Sequence, residues 1–272
     1  MTTVARLLEV AEDLWPASLA EEWDTPGLQI GSRRSEITGI LLAVDVTPQV
    51  IDEAVARNCS VIFSHHPMLL RGVTAIDEQT DRGYIVASAL RNGISVVSAH
   101  TNADVVANGV SDLLANRLEL RNLRPLVPTA DPRVGLGRAG DLLEPVTLDT
   151  LVETLKRVVP TTKAGIRVVG SPAALVQRVA LCAGAGDSFL SHPEVLDSDV
   201  YITSDLRHHP ALDAKVRAER GQGPWLVDVS HWASESLWLA KAQADLASAL
   251  SGVDVIVSQL STDPWDWQTG NA

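Results

Sequence analysis

Short, almost continuously apolar runs alternate with helical segments along most of this chain, and this alternation is the strongest constraint on its fold. ITGILLAVDV (37–46), SVIF (60–63) and ISVVSA (94–99) have the apolar character of strands that are buried on both faces of a sheet. After the first run, Thr47 and Pro48 form an N-cap and a first helical position, which predicts a crossover helix. Strands connected through helices pair in parallel, so we predict a layered α/β architecture.

A similar order of elements occurs a second time. Strands are predicted at GIRVV, RVALCAG, DVYITS, PWLVDV and VDVIVS, with helices between most of them. Between the two series lies RNLRPLVPTADPR (121–133), which holds three prolines and has no periodicity, and which we interpret as a linker. The sequence therefore predicts two duplicated α/β units, residues 1–125 and residues 126–272.

Composition excludes several classes of protein. The 272 residues carry a formal net charge of -12, which disfavours nucleic-acid binding, because an acidic surface repels phosphates. No apolar run approaches the ~18 to 20 residues that span a bilayer, and acidic residues interrupt the N-terminal helix where a signal peptide is apolar. The two cysteines lack zinc or disulfide spacing and are interpreted as buried apolar residues. We expect a cytoplasmic protein without membrane contact.

Histidines and carboxylates follow several of the predicted strands directly. Ligands of open α/β sheets bind beyond the carboxyl ends of parallel strands. Imidazole and carboxylate groups together favour zinc, iron, manganese or nickel. We therefore predict a metal site where the carboxyl ends of the parallel strands meet. The candidate side chains come from four strand ends: His65 and His66, His100 and Asp104, Asp205, and His231 and Glu235.

Each of these groups also has an ordinary explanation. A histidine pair after a strand can cap a turn, and a histidine four residues before a carboxylate can be an exposed helical pair. The spacing recurs, however: His100 precedes Asp104 by four residues, as His231 precedes Glu235. We favour His100 as a group that orients Asp104 rather than as a ligand.

Three further segments stay open at the level of sequence. His208 and His209 follow their strand by a turn and are interpreted as helix-surface or interface groups. GAGDS (184–188) is either a tight turn that requires glycine or a cradle for an anion. The C-terminal TDPWDWQTGNA has no predicted role.

Five motifs in order resemble one known family: WDTPGLQIG, SHHP, HTNAD, GAGDS and DVSHWASE. They resemble the Nif-three-like family, whose members are often described as GTP cyclohydrolase type-2 homologues, from about Leu7 to the helix after Glu235. The resemblance implies two intertwined, duplicated α/β/α three-layer units with mixed, mostly parallel sheets, assembled into a toroidal homohexamer. It also implies two divalent metal ions per subunit. Their ligands would be His65, His66, Asp104, His231 and Glu235, with Glu235 bridging both ions. His100 would lie nearby without binding either ion.

A dinuclear centre implies hydrolytic chemistry. Two ions ~3.5 to 4 Å apart lower the pKa of water and polarise a carbonyl or phosphoryl oxygen. The leading hypothesis is a hydrolase acting on a small molecule such as a nucleotide, with His100 and Asp205 as candidate catalytic groups. The alternative is a metal-binding or assembly protein without turnover. Ser204 and Asp205 stand where the family usually has Gly-Glu, which leaves the substrate open.

Overall fold

The computed structural model describes residues 1–269, which pack as two compact units. The first consists of Met1–Val106 and Trp238–Thr262, and the second of Ala107–Leu237 with the segment from Asp263 onward. The chain therefore leaves the first unit, forms the second and returns to the first.

The first unit begins with the following elements: α1 (Val4–Leu14), β1 (Gly27–Ile30), β2 (Ile40–Ala43), α2 (Pro48–Ala56), β3 (Val61–Ser64), α3 (Asp81–Arg91), β4 (Ser95–Ser98) and α4 (Thr101–Val105). The remaining elements are α5 (Val110–Arg117), β5 (Arg121–Arg124), β6 (Val127–Pro128), β7 (Gly135–Leu136), β8 (Arg138–Thr147), α6 (Leu148–Val158), β9 (Arg167–Val169), β10 (Leu175–Ala185), α7 (Pro193–Leu196), β11 (Val200–Ser204), α8 (His208–Glu219), β12 (Trp225–Val229), α9 (His231–Ala249) and β13 (Val255–Val257). Within residues 1–269, no helix combines the length and the apolar character that crossing a membrane requires.

The sheet of the first unit is mostly parallel. Its strand order is β1-β4-β3-β2-β13, and only β1 runs antiparallel to its neighbour. Strands β2, β3 and β4 are fully buried, as their continuous apolar runs predict. Helices α2 and α3 connect them, so the carboxyl ends of all three strands lie at one edge of the sheet.

The sheet of the second unit is mixed. Its order is β5-β8-β10-β11-β12-β9, with parallel pairing among β10, β11 and β12 and antiparallel strands on both sides. The prediction of a mixed α/β fold is confirmed. The prediction of a linker over 121–133 is wrong in two places: Val127–Pro128 pairs with β7 as the short strand β6, and Arg121–Arg124 forms the edge strand β5. This strand has one half-buried apolar residue among exposed polar ones, so it lacks the apolar signature of a strand.

The two units do not divide the chain at the predicted position between residues 125 and 126. Strand β5 pairs with β8 of the second unit, so the second unit begins earlier in the sequence. Strand β13 pairs with β2 of the first unit, so Trp238–Thr262 belongs to the first unit although it follows most of the second in sequence. Both unit boundaries differ from the prediction because strands distant in sequence pair in one sheet. Changes of composition along the chain do not reveal such pairing.

An aromatic cluster in the first unit lies against the end of β3. Trp238 is fully buried, and its ring centroid lies 5.2 Å from that of Trp15 and 6.5 Å from that of Phe63. The same indole lies 5.3 Å from the ring of His65. Close-packed aromatic rings leave a neighbouring side chain few rotamers. The core thus restricts the position of His65.

We expect the Trp238→Ala substitution to lower the free energy of unfolding by about 3–5 kcal/mol, because it leaves a large cavity in the core. Chemical denaturation of the metal-free protein measures this loss. Trp265→Ala is the matched control, since the Trp265 side chain is 63% exposed, and we expect a change within about 0.5 kcal/mol. Equal losses in the two variants would contradict the assignment of Trp238 to the core.

Candidate metal centre

Backbone pairing in the first unit continues past the ends of the three parallel strands. The amide of His65 donates to Ala43 O over 3.1 Å, and the amide of His66 donates to Val44 O over 2.9 Å. The amide of Ala99 donates to Ser64 O over 3.1 Å. These bonds fix the residues that follow β2, β3 and β4 in register with one another. Side chains at this edge are therefore held by the sheet rather than by a mobile loop.

Three histidines converge at this edge. One ring nitrogen from each of His65, His66 and His100 lies within 4.8 Å of the others. The ring centroids are 5.1 to 5.5 Å apart. His65 is fully buried, whereas His66 is partly accessible to solvent. This geometry could hold a metal ion, since imidazole nitrogen is a common ligand of zinc and other first-row divalent metals.

An oxygen acceptor holds the Nδ1 atom of each of these histidines. His65 Nδ1 lies 3.0 Å from the carbonyl oxygen of Ala99. Because a carbonyl oxygen only accepts, this nitrogen carries the proton and the lone pair is on Nε2. His66 Nδ1 lies 2.7 Å from Asp45 Oδ1, which assigns the same tautomer to the neutral ring.

The third histidine is fixed by the loop that follows α1. His100 Nδ1 lies 3.1 Å from Asp24 Oδ2, and the same carboxylate accepts hydrogen bonds from the amide and the hydroxyl of Thr101. Burial raises the pKa of Asp24, but the hydrogen bonds from His100 and Thr101 outweigh it and lower this pKa to about 2. An ionised carboxylate therefore orients His100. The Trp23 ring covers this histidine edge-to-face at 5.7 Å.

Asp104 adds a carboxylate to the same edge. It lies on α4, and its Oδ1 atom is 3.7 Å from His65 Nε2. This distance is too long for a hydrogen bond, yet both atoms could bind one cation, since metal–nitrogen and metal–oxygen bonds are about 2.0–2.2 Å long. The sequence predicts one helix beginning near Val105. The structure instead has the separate short helix α4, which begins at Thr101 and carries Asp104.

A second group of ligand-type side chains lies in the second unit. His231 is the first residue of α9, two residues after the end of β12, and its Nδ1 atom lies 2.7 Å from Asp205 Oδ2. Its Nε2 atom lies 2.9 Å from Glu235 Oε1, one helical turn further on. Asp205 follows β11 and has a φ of 58°, in the left-handed region that few residues other than glycine adopt. Such backbone strain is frequent at functional sites.

The protonation of His231 in the metal-free protein follows from these carboxylates. Burial lowers the pKa of His231, but the charge of Glu235 and the hydrogen bonds to Asp205 and Glu235 outweigh it and raise this pKa to about 11. In turn, the hydrogen bond from His231 lowers the pKa of Asp205. The pair of carboxylates therefore stabilises a positive charge at this position, which a metal ion or an imidazolium supplies.

The start of α9 is held by its neighbours in the second unit. The hydroxyl of Ser230 accepts a hydrogen bond from the amide of Ala233 and so acts as the N-cap of the helix. The same hydroxyl donates to Asp263 Oδ1 over 2.5 Å. A carboxylate near a helix N-terminus is electrostatically favourable. These contacts fix the first turn, from which His231 projects.

The GAGDS segment packs directly against the second group. Gly184 has a φ of +73°, and a Cβ atom there would lie 2.2 Å from Glu235 Oε1 and 3.3 Å from His231 Nε2. A Cβ atom at Gly186 would lie 2.3 Å from the hydroxyl oxygen of Tyr201. The need for glycine in this motif therefore has a steric cause, and it does not require a bound anion.

The predicted site residues fall into two groups because their strands belong to two sheets. The first group contains four of them: His65, His66, His100 and Asp104. The second contains three: Asp205, His231 and Glu235. His208 and His209 lie together in the first turn of α8, with ring centroids 5.1 Å apart, and neither belongs to a metal-competent group within residues 1–269. The last three residues of TDPWDWQTGNA lie outside the described residues.

Sequence reasoning missed two supporting carboxylates. Asp45 follows β2 at the same edge as the histidines, so the strand-end argument applied to its apolar run could have found it. Asp24 lies in a loop between α1 and β1, and its contact with His100 joins residues 76 positions apart in the sequence. No local pattern indicates such a contact.

The fold and these groups define a mixed α/β protein with metal-competent side chains beyond the ends of parallel strands. Residues 2–264 match the family described as Duf34/NIF3 (NGG1p interacting factor 3), and the chain belongs to this family. The family resemblance of the five sequence motifs is thereby confirmed.

Relatives match over nearly the full length of this chain. The GTP cyclohydrolase 1 type 2 homolog of Streptomyces coelicolor is 39% identical over 279 residues, covering 100% of this chain and 96% of the relative. The crystal structure of a Bacillus cereus protein related to NIF3 superposes with a TM-score of 0.89 at 25% identity, covering 98% of this chain and 99% of the other. Staphylococcus aureus protein SA1388 gives a TM-score of 0.86 at 27% identity with the same coverage.

We expect Gly184→Ala to reduce the amount of metal that the protein binds, because the added Cβ atom displaces the carboxylate of Glu235. Gly221→Ala is the matched control: Gly221 has a similar φ of +68°, but a Cβ atom there meets nothing within 4 Å. Both variants carry the cost of a left-handed alanine, about 1–2 kcal/mol. Elemental analysis separates the two effects, and equal metal content in the two variants would contradict the steric argument.

The metal-free protein offers a pH test of His231. A pKa raised from 6.5 to about 11 means that the imidazolium stabilises the folded state fully below pH 6.5 and that this contribution disappears as the pH rises through 11. Above about pH 5, where the carboxylates are ionised, we expect wild type to exceed His231→Gln in free energy of unfolding. The difference should shrink between pH 6.5 and 11.

Denaturation of both proteins across that pH range measures the difference. Asp205→Asn removes one of the two charge partners and should flatten the pH dependence. A difference that stays constant over the whole range would contradict the assignment of a stabilised imidazolium.

Proposed function

We propose that this protein is a metal-dependent hydrolase that acts on a small molecule and binds two divalent ions. The proposed ligands are those that the family resemblance implies: His65, His66, Asp104, His231 and Glu235. The observation that carries the proposal is the common orientation of His65 and His66, each held at Nδ1 by a hydrogen bond to an oxygen atom. Histidine ligands of metals almost always donate their second ring N–H in this way, which fixes the tautomer and the direction of the lone pair.

The donor set narrows the choice of metal. Imidazole nitrogens and carboxylate oxygens, without cysteine among them, fit zinc, iron, manganese or nickel. Both cysteines of the chain are buried, and neither belongs to a metal-competent group in the described part of the chain. Five protein ligands for two ions leave coordination positions open for substrate and water, as a catalytic site requires.

The chain's own residues supply the remaining functions. When bound, a pair of divalent ions lowers the pKa of water and polarises a substrate oxygen. His100 is proposed as the general base: the Asp24 carboxylate lies beside its Nδ1 atom, which leaves its Nε2 atom to accept a proton from attacking water. Asp205 contacts the Nδ1 atom of His231, so its proposed role is to orient His231 and not to contact the substrate.

The substrate proposal draws on the relatives. The Streptomyces coelicolor relative carries the name GTP cyclohydrolase 1 type 2 homolog, which makes GTP the first compound to test. Opening of the imidazole ring of GTP is a hydrolysis, so it fits the proposed chemistry. We also propose a homohexamer, on the family resemblance alone, and a solution mass near six times the chain's 29.1 kDa would support it.

A second candidate is a metal-binding or assembly protein without turnover. The description of the family as an interacting factor favours it. Both candidates require the same metal ligands, so metal binding alone does not separate them. Turnover on a substrate panel does.

We expect the purified protein to contain two metal ions per chain and to lose metal on His66→Ala or Asp104→Ala substitution. With GTP, phosphoesters and cyclic amides as the panel, hydrolysis by these variants should fall by at least about 100-fold, since even removal of groups that support metal ligands costs 10- to 100-fold. His208→Ala is the control, because this exposed residue of α8 lies outside the proposed ligand set.

Three outcomes distinguish the candidates. Turnover that depends on His66 and Asp104 supports the hydrolase. Tight metal retention without turnover on any compound favours the binding protein. Well under one metal ion per chain, with none taken up on reconstitution, contradicts both.

A further inference from the structure

The chain after β13 runs along the end of β2, where the histidine site begins. Strand β13 pairs in parallel with β2, with Val257 opposite Leu42, and the amide of Ser258 continues the ladder by donating to Leu42 O over 2.8 Å. The Ser258 hydroxyl donates to Glu53 of α2 over 2.5 Å and accepts from the amide of Leu260. These bonds fix the course of residues 258–262, although several of their side chains are exposed.

Thr262 meets the carboxylate that holds a proposed metal ligand. Its hydroxyl donates to Asp45 Oδ2, while Asp45 Oδ1 lies 2.7 Å from His66 Nδ1. The hydroxyl is the donor because an ionised carboxylate only accepts. The two oxygens of Asp45 thus have different partners, one from the C-terminal segment and one from the metal-ligating ring.

This arrangement restricts a torsion that is otherwise soft. Rotation of an aspartate carboxylate about χ2 has a broad, roughly two-fold profile, so one hydrogen bond leaves its plane poorly defined. The bond from Thr262 to the other carboxylate oxygen restricts that plane further. A fixed plane directs the bond to His66 Nδ1 and therefore the direction of the Nε2 lone pair.

We infer that Thr262 is a positioning residue for metal binding, which acts through Asp45 on His66. The inference rests on the proposed function, because it takes His66 as a metal ligand. It assigns the beginning of the C-terminal TDPWDW segment a role in the site that sequence analysis leaves open. The segment then contributes to metal affinity without contacting the metal.

A purely structural role for the Thr262 hydroxyl predicts different behaviour. A bond that only stabilises the fold would lower the melting temperature of the metal-free protein and leave metal affinity unchanged. A positioning bond changes affinity and the ligand field. The two roles therefore separate in experiments on the same variants.

The experiment compares Thr262→Val, which is nearly isosteric and lacks the hydroxyl, with Thr262→Ser, which keeps it. We expect the release of Co²⁺ to a chelator to be about tenfold faster in Thr262→Val, the size of one hydrogen bond to a charged group. The visible absorption spectrum of bound Co²⁺ should also shift. Thr262→Ser should restore both properties, and Asp45→Asn should weaken affinity by about 10- to 100-fold.

The melting temperature of each metal-free variant completes the design. If wild type binds Co²⁺ and Thr262→Val matches it in release rate and spectrum, the positioning role is overturned while the proposed function stands. A lower melting temperature in Thr262→Val, with unchanged release, also overturns it in favour of a structural role. If wild type binds no Co²⁺, Zn²⁺ or Mn²⁺, the proposed function and this inference fail together.

Discussion

A contact between one ring nitrogen of each histidine and an oxygen atom, which is a hydrogen bond for His65, His66 and His231, is the interaction on which the candidate site depends. An imidazole without such a partner rotates and exchanges its proton between two nitrogens, so its lone pair has no fixed direction. The acceptor differs from ring to ring: a backbone carbonyl for His65, and a carboxylate for each of His66, His100 and His231. A carboxylate acceptor makes the opposite nitrogen a stronger donor than a carbonyl does, so the rings differ in ligand strength.

The sheets make these bonds possible. In the first unit, β2, β3 and β4 are adjacent and parallel, and their ladder continues for one or two residues beyond the strands. Asp45, His65 and His100 follow those ends and therefore lie at one edge. The second unit repeats this relation, since Asp205 follows β11 and His231 follows β12. Here Asp205 adopts a left-handed backbone conformation, and the absence of a Cβ atom at Gly184 leaves room for the carboxylate of Glu235.

The sequence predicted the buried strands well, because parallel strands covered on both faces leave long apolar runs that few other structures produce. It placed the histidines at the carboxyl ends of strands for the same reason, since each histidine of the site follows such a run. It failed on the exposed edge strand β5, which lacks an apolar run, and on α4, whose five residues are too few for a helical period. It also failed on Asp24, whose role depends on a contact across the fold.

The distribution of charge explains why this edge of the first unit favours a cation. Asp24, Asp45 and Asp104 lie in contact with three histidines, in a chain that already carries a net charge of -12. Neutral imidazoles carry no charge that would offset the negative charge of these carboxylates. Either protons on the imidazoles or a metal ion can balance it, and the two compete for the same lone pairs. A divalent ion adds two positive charges without disturbing the Nδ1 contacts, whereas protonation occupies the lone pairs that would bind the ion. The same carboxylates that contact the rings would thus also supply electrostatic attraction for the proposed metal ions.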